Sequence, residues 1–319
     1  MITFIIRRLF QLVLVLVGVS LVTFIIMFVI PGNPAEMMAG KNPTPERVAV
    51  IEHKWGLDKP LYQQYALYVW HLAHGDLGDS WRFNRPVTEM IAENVGFTAQ
   101  LAIAAVLIEM LGIPLGIYSA LRQYTFWDTA LTTGALIIWG IPVFVLGLFA
   151  QWLVGYKLGL LPITSADAAS VFWVIPANLD SVEALIMPAL TLGIIEVAYI
   201  SYMQRSSMLE VIRSDYVRTA RAKGLSERSV VLKHALKNAL IPVITIAGID
   251  LGALMGGAII TEAVFSRPGI GSMIYNAIGA RDMPVVAGGV LFATLVYVFA
   301  NLFVDIGYAF VDPRIRYED

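Results

Sequence analysis

The chain has no cysteine, so disulfides and thiolate metal sites are excluded. Charge is also scarce. Asp, Glu, Lys and Arg make up 14% of the residues, against about 25% in an ordinary soluble domain. No GxxxxGKS/T occurs, so the chain carries no P-loop with which to hold ATP. Neither HExxH nor GxSxG occurs, which leaves the common zinc-hydrolase and serine-hydrolase sites without a candidate. There is no tandem repeat and no low-complexity segment. What is abundant is apolar surface, at 58% hydrophobic residues. The net charge of −2 says little about partners, but the placement of the charges says more.

Uncharged apolar runs define the architecture. Residues 9–30 follow Arg7 and Arg8 and are long enough, at about 1.5 Å per residue, to cross a hydrocarbon core of about 30 Å. The run is too long for a signal-peptide core, and Pro31-Gly32-Asn33-Pro34 follows it instead of a small-x-small cleavage site, so it is read as a retained span. Five more runs follow at about 97–120, 129–154, 185–203, 241–261 and 285–310. The expected fold is an all-α integral membrane protein with six transmembrane helices. Gly252-Ala253-Leu254-Met255-Gly256 is a GxxxG and predicts close helix packing.

Between the first two runs lies a water-soluble insert, 31–96, expected to be a small helical lobe. Thr44-Pro45-Glu46 reads as the start of a helix that stops at Gly56. Asp58-Lys59-Pro60 opens another that stops at Gly75. The aromatics Tyr62, Tyr65, Tyr68, Trp70 and Trp81 suit a contact surface or a membrane interface. The lobe is therefore expected to help dock an external protein or to shield a cavity mouth. His71 and His74 lie three apart with no third ligand nearby, and are read as interfacial residues rather than metal ligands.

The stretch 206–242 is a polar, basic island between apolar spans. Asp215 to Lys223 suits a short helix ended by Gly224. Ser226 is placed to cap a second helix, with Lys233, His234 and Lys237 toward its end. Pro242 opens the next apolar run, where a missing N–H is harmless. With six spans, thirteen of the twenty-two Lys and Arg fall on the island's side, eight of them in the island region. The positive-inside rule then makes 204–239 and both termini cytoplasmic and puts the lobe outside.

Glu109, Glu196 and Asp250 fall near the middle of their spans. A charge at mid-bilayer costs about 2.5–3.5 kcal/mol even on lenient scales, so these acids must face a cavity or a protein interface. Two readings stand side by side. They line a polar path for a solute carrying positive charge, or they make hydrogen-bonded packing contacts between helices, with a protonated carboxyl as one form of such contact.

Several motifs together resemble one family. Phe4-Ile5-Ile6-Arg7-Arg8-Leu9 and Ile30-Pro31-Gly32-Asn33-Pro34 stand early; Gly56-Leu57-Asp58-Lys59-Pro60 and His74-Gly75-Asp76-Leu77-Gly78 follow. The island supplies Arg205 to Val211, Tyr216 to Leu225 and His234 to Ala239. Glu262, then Phe265-Ser266-Arg267-Pro268-Gly269-Ile270-Gly271, Arg281-Asp282 and Asp312-Pro313-Arg314-Ile315-Arg316 close the series. In these the chain resembles, over essentially its whole length, the first membrane subunit of bacterial dipeptide/oligopeptide ABC importers, a family that includes nickel and glutathione permeases. The resemblance implies a type I ABC importer permease fold in the bacterial inner membrane. It implies a non-enzymatic pore subunit for peptides, with nickel or glutathione as alternative cargo. It implies a second homologous permease, two ATPase subunits that bind ATP and Mg, and an external binding protein. No cofactor or metal belongs to this chain, and nucleic acid is not a partner.

The resemblance also gives the island a role, as the loop whose helix docks into the ATPase. The family's Glu-Ala-Ala positions fall on Arg218, Thr219 and Ala220, and its glycine on Gly224. The Glu is absent, and Leu236-Lys237 stands where the motif usually has Leu-Pro. Asp215, Arg218, Thr219, Ala220, Arg221, Lys223 and Gly224 are the expected coupling residues. The resemblance covers 1–30 as the N-terminus with the first span, 31–96 as the lobe, 97–310 as a five-helix core and 311–319 as a tail. A rival of another class is a stand-alone ion-coupled carrier using the three mid-span acids, but such a carrier needs no large basic loop. A cysteine at Ser80 is expected to react with an impermeant thiol reagent on intact cells and one at Ser226 to stay unreacted; the reverse pattern overturns the topology.

Overall fold

A computed structural model describes residues 2–29, 34–39, 44–171 and 174–311 of the chain. The motif at 30–33 and the tail 312–319 lie outside the described residues.

Helix α1, Ile2–Phe24, continues as a π-turn to Val29. Its apolar side chains Phe10, Leu14 and Val22 are exposed, as lipid-facing residues are. The lobe holds α2 (Pro34–Ala39), α3 (Pro45–Trp55) and α4 (Leu61–Ala73). The Thr44 hydroxyl accepts from the Arg47 N–H, and Gly56 ends α3 at φ +66°, so both predicted boundaries hold. Helix α4 buries none of its residues, yet it is tied to α1. The Tyr65 and Tyr68 hydroxyls hydrogen-bond Ser20 and Thr23 at 3.0 and 3.1 Å, and Phe24 packs against both rings. The lobe is therefore fastened to the first span rather than hinged beside it. His71 bonds Asp76 and His74 bonds the Trp70 carbonyl, and among the described residues no group of three metal-ligating side chains forms.

The second span starts earlier than the apolar run suggests. α5 (Val87–Glu109) and α6 (Gly112–Leu121) form one helical rod of 35 residues. Its first turns, Val87 and Ile91, are buried against the lobe-side hairpin described below, so 87–96 belongs to the rod. The third span bends by 97° between α7 (Phe126–Trp139) and α8 (Val143–Ala150), whose helix runs on to Lys157. Gly140 and Pro142 at the break remove the side chain and the N–H that would hold a straight helix. A two-residue antiparallel ladder, Ser170–Val171 with Ile175–Pro176, precedes α9 (Leu179–Ile212).

Helix α9 is the hub. It packs against α5, α6, α7 and α8. The approach to α6 is nearly backbone to backbone. A Cβ at Gly116 would lie 2.5 Å from the Ser201 carbonyl oxygen, and one at Gly112 would lie 2.7 Å from that of Val197. The island follows as α10 (Asp215–Ala222), α11 (Glu227–Ser229), a π-turn from Val230 to Ala235 and α12 (Leu236–Ala239). Ser226 stands at the N-cap position but its hydroxyl makes no capping bond. A 46° bend leads into α13 (Ile241–Met255), which packs on α16 (Met283–Val311) with Gly252 directly against Ala300. The predicted fifth run overshoots, because the helix stops at Met255. A lobe-side hairpin of α14 (Ile259–Val264) and α15 (Ile270–Ala280) follows. Among the described residues, four helices are long and apolar enough to cross a membrane, and up to six spans result when each bent pair counts as one.

One ion pair escaped the sequence reading. The Arg205 Nε and Nη2 donate to both Asp128 oxygens at 2.6 and 2.8 Å. The Ser119 hydroxyl and the Tyr124 N–H complete the carboxylate. The pair ties α7 to α9 at the island end, and Asp128 is 3% exposed. Ser80, in contrast, is buried against Asp282, so the exposed Lys59 is the better position for thiol labelling of the lobe. Asp128→Ala is expected to lower stability by about 3 kcal/mol, because it strands a poorly hydrated cation. Asp128→Ala with Arg205→Met should lose clearly less than the sum of the single changes. Thermal melting of the purified protein checks this, and strict additivity would sink it.

Candidate functional site

Three groups of residues stand out, at the island, mid-membrane and the lobe side. In the island, α10 is cleanly two-faced. Val217 and Ala220 are buried with Met208, Val230, Val231 and Ala235. Fully burying a side chain the size of Val217 contributes about 1.5–3 kcal/mol, which anchors a helix of eight residues. Asp215, Arg218, Thr219, Arg221 and Lys223 all face water. Arg218 bonds Asp215 at 3.3 Å, and Arg221 holds Glu227 at 2.7 and 3.1 Å across the turn. Gly224 has φ +74°, and nothing lies within 4 Å of where its Cβ would be. Of the seven residues expected to couple, six thus lie on an exposed surface or turn, and Ala220 belongs to its apolar backing.

The three mid-span acids come together, as their separate spans alone could not show. They sit on α5, α9 and α13, which pack against one another, and their carboxyls act electrostatically on each other. Glu109 is fully buried and neither of its oxygens has a hydrogen-bond partner. One Asp250 oxygen is likewise unpartnered. A buried carboxyl with no donor is costly to keep in that state, so Glu109 calls for a partner from outside this chain's own described contacts. Within this chain, then, Glu109 is packed between helices without a hydrogen bond of its own.

At the lobe side, the hairpin is built around buried polar groups. Glu262 accepts from the Thr98 hydroxyl and the Ser272 N–H, each at 2.8 Å. Thr98 in turn accepts from the Ile270 N–H at 2.8 Å. Gly269 and Gly271 leave no room for a Cβ beside the Glu262 carboxyl. Burial pushes the Glu262 carboxyl up, opposed by the hydrogen bonds it accepts. Asp282 accepts from the Ser80 hydroxyl and from the Trp81 and Arg82 N–H groups. That bond set pins a short tongue, 79–86, closed by the Asp79–Pro86 bridge. Arg267 is also fully buried; its Nη2 donates to Gln100 at 2.7 Å. Burial pushes its guanidinium down to about 10, so it stays charged at neutral pH. Sequence reasoning marked Glu262, Arg267 and Asp282 only as parts of a motif. Their partners Thr98, Gln100 and Ser80 lie 164 to 202 residues away, which no local pattern reveals.

Comparison with known proteins agrees with this architecture. The family model for the inner membrane component of binding-protein-dependent transport systems matches residues 112–317, and its N-terminal companion matches 1–102. The dipeptide transport system permease protein DppB of Alkalihalophilus pseudofirmus is 44% identical, over 99% of this chain and all of that protein. DppB of Escherichia coli is 39% identical and the di/tripeptide permease DppB of Pseudomonas aeruginosa 41%, each over the full length of both chains. A solved structure of the MetNI methionine ABC transporter, inward facing, matches with a TM-score of 0.55 at 19% identity, over 70% of this chain and 96% of that one, and so supports the fold. A component of this kind works with a solute-binding protein and an ATPase. The chain belongs to the family of multi-pass inner membrane components of binding-protein-dependent transport systems, as a non-catalytic permease subunit of an ABC importer.

Proposed function

We propose that this permease imports di- and oligopeptides delivered by an external binding protein. Full-length similarity to dipeptide and di/tripeptide permeases supports that cargo over nickel or glutathione. The chain pairs with a second, homologous permease to enclose the path. Two ATPase subunits, which bind ATP and Mg, engage the island; this chain itself holds no cofactor. The lobe faces outside and both termini face the cytoplasm, in keeping with the Lys and Arg distribution. Glu109, Glu196 and Asp250 form the polar part of the path, where they meet the amino group of the solute.

The observation that carries the reading is the two-faced α10. Its apolar face is locked to the membrane core while its charged face is left for a partner. Arg218, Arg221 and Lys223 offer donors to acidic groups or carbonyls there, each contributing modestly as a rim charge. Gly224 sets how α10 leaves that surface.

Gly224→Val tests the role. Its φ of +74° strains a β-branched residue by about 1 kcal/mol or more, yet open space means the side chain meets no clash. The variant complex is expected to assemble and to dock its binding protein, but solute should no longer stimulate ATP hydrolysis, and uptake should fall. The measurement is solute-stimulated ATPase activity in proteoliposomes. A variant that matches the parent in both stimulation and uptake removes the island as the transmission element.

A further inference from the structure

A cleft of about 740 Å³ opens beside the tongue and the α14–α15 hairpin. That is within the usual range for small-molecule sites. It is lined by Arg82, Asn94, Ser272, Asn276, Glu262 and Arg267. Hydrogen bonding around it is lopsided. The two carboxylates are already engaged, Glu262 by Thr98 and Ser272 and Asp282 by Ser80, Trp81 and Arg82. The donors are not. Arg267 Nε and Nη1 and the Gln100 Nε2 are buried with no partner at all. Among the described residues, no carboxylate comes within 4.0 Å of the Arg267 guanidinium. Glu262 acts on it only from a greater distance.

Three unmatched nitrogens, all of them donors, imply a missing acceptor. One of the groups is a buried cation, and a neutral water cannot supply the opposing charge that makes such burial tolerable. A guanidinium presents its N–H groups as a planar fork that fits the two oxygens of a carboxylate. Phe97, whose ring lies 6.0 Å from the guanidinium carbon, backs it with apolar surface that would strengthen such a bond.

We propose that Arg267, which lines the outer cleft and is backed by Gln100, receives the carboxylate of the solute as it enters the permease. The inference rests on the peptide reading above, since every unmodified linear peptide carries such a group at its C-terminus. It also divides recognition in two, with the carboxylate held near the outer face and the ammonium met deeper, by the mid-membrane acids. In the conformation described here the guanidinium is closed off from water, so the site fills when the hairpin and tongue shift apart.

The test uses the complete transporter with its binding protein in proteoliposomes. Uptake of alanylalanine and of its C-terminal amide is measured for the parent, Arg267→Gln and Arg267→Lys. Both substrates pass through the same binding protein, so the change in the acid-to-amide ratio isolates the permease. Arg267→Gln is expected to lower uptake of the acid by about tenfold or more, the scale of one charged hydrogen bond, and to leave the amide nearly unchanged. Arg267→Lys should keep part of the preference. Equal losses for acid and amide would show that Arg267 only braces the hairpin, and would overturn the proposal. A second measurement needs no transport: N-acetylalanine, a bare carboxylate, should raise the melting temperature of the purified parent complex and not that of Arg267→Gln. If the parent accumulates no peptide but N-acetylalanine still protects it, the peptide reading fails and the carboxylate site stands. If N-acetylalanine protects both proteins equally or neither, the site falls.

Discussion

Helices inside a bilayer gain little by hiding apolar surface from one another, because the lipid is as apolar as they are. They must be held by close contact and by polar pairs. In this chain the close contact is the seam between α6 and α9, where Gly112 and Gly116 bring one backbone against the other. A bulkier residue at either position would push the rods apart, and α9 is the helix on which α5, α7 and α8 also rest. The same device recurs where Gly252 meets Ala300 between α13 and α16. These seams leave the spans exposing Phe, Leu and Val outward while small residues turn inward.

Polar pairing then closes the two ends of the bundle and leaves its middle open. At the island end, Asp128 and Arg205 join α7 to α9 in a bidentate pair with every carboxylate oxygen engaged. At the lobe end, Glu262 and Asp282 gather the hairpin, the tongue and α5 through hydroxyl and backbone donors. Between them, Glu109 has no partner within the chain, and Glu196 and Asp250 lie on helices packed against its own and act on it electrostatically. A stable membrane scaffold would not retain such a group. A protein that must alternate between two arrangements has reason to, since an acid left unbonded in one state is free to form a bond in another.

The two ends also differ in what they leave spare. The island's surface charges are exposed and only lightly paired, so their energies are small and readily exchanged for contacts with a partner. At the lobe end the spare groups are buried donors, each worth more because water does not reach them. An ATPase that must dock and release suits the first arrangement. A solute that must be recognised suits the second.

Composition and spacing made the membrane class legible, along with the first span, the lobe helices bounded by Thr44, Gly56 and Gly75, and the island with its glycine turn. Each of these depends on neighbours within a few residues, where capping, φ and hydrophobic run length act. The 97° bend at Gly140 and Pro142 was not legible, because a span tolerates such residues without breaking, and the early start of the second rod at Val87 was hidden because its first turns are half polar. The three acids could be named one by one from their runs. That they meet, and that Glu109 is left unbonded, depended on how α5, α9 and α13 pack. Arg267 was visible only as part of the Phe265–Gly271 motif. Only the return of the hairpin onto α5 buries it beside Gln100 with no carboxylate within 4.0 Å among the described residues, because burial and pairing are properties of contacts between residues far apart in the chain.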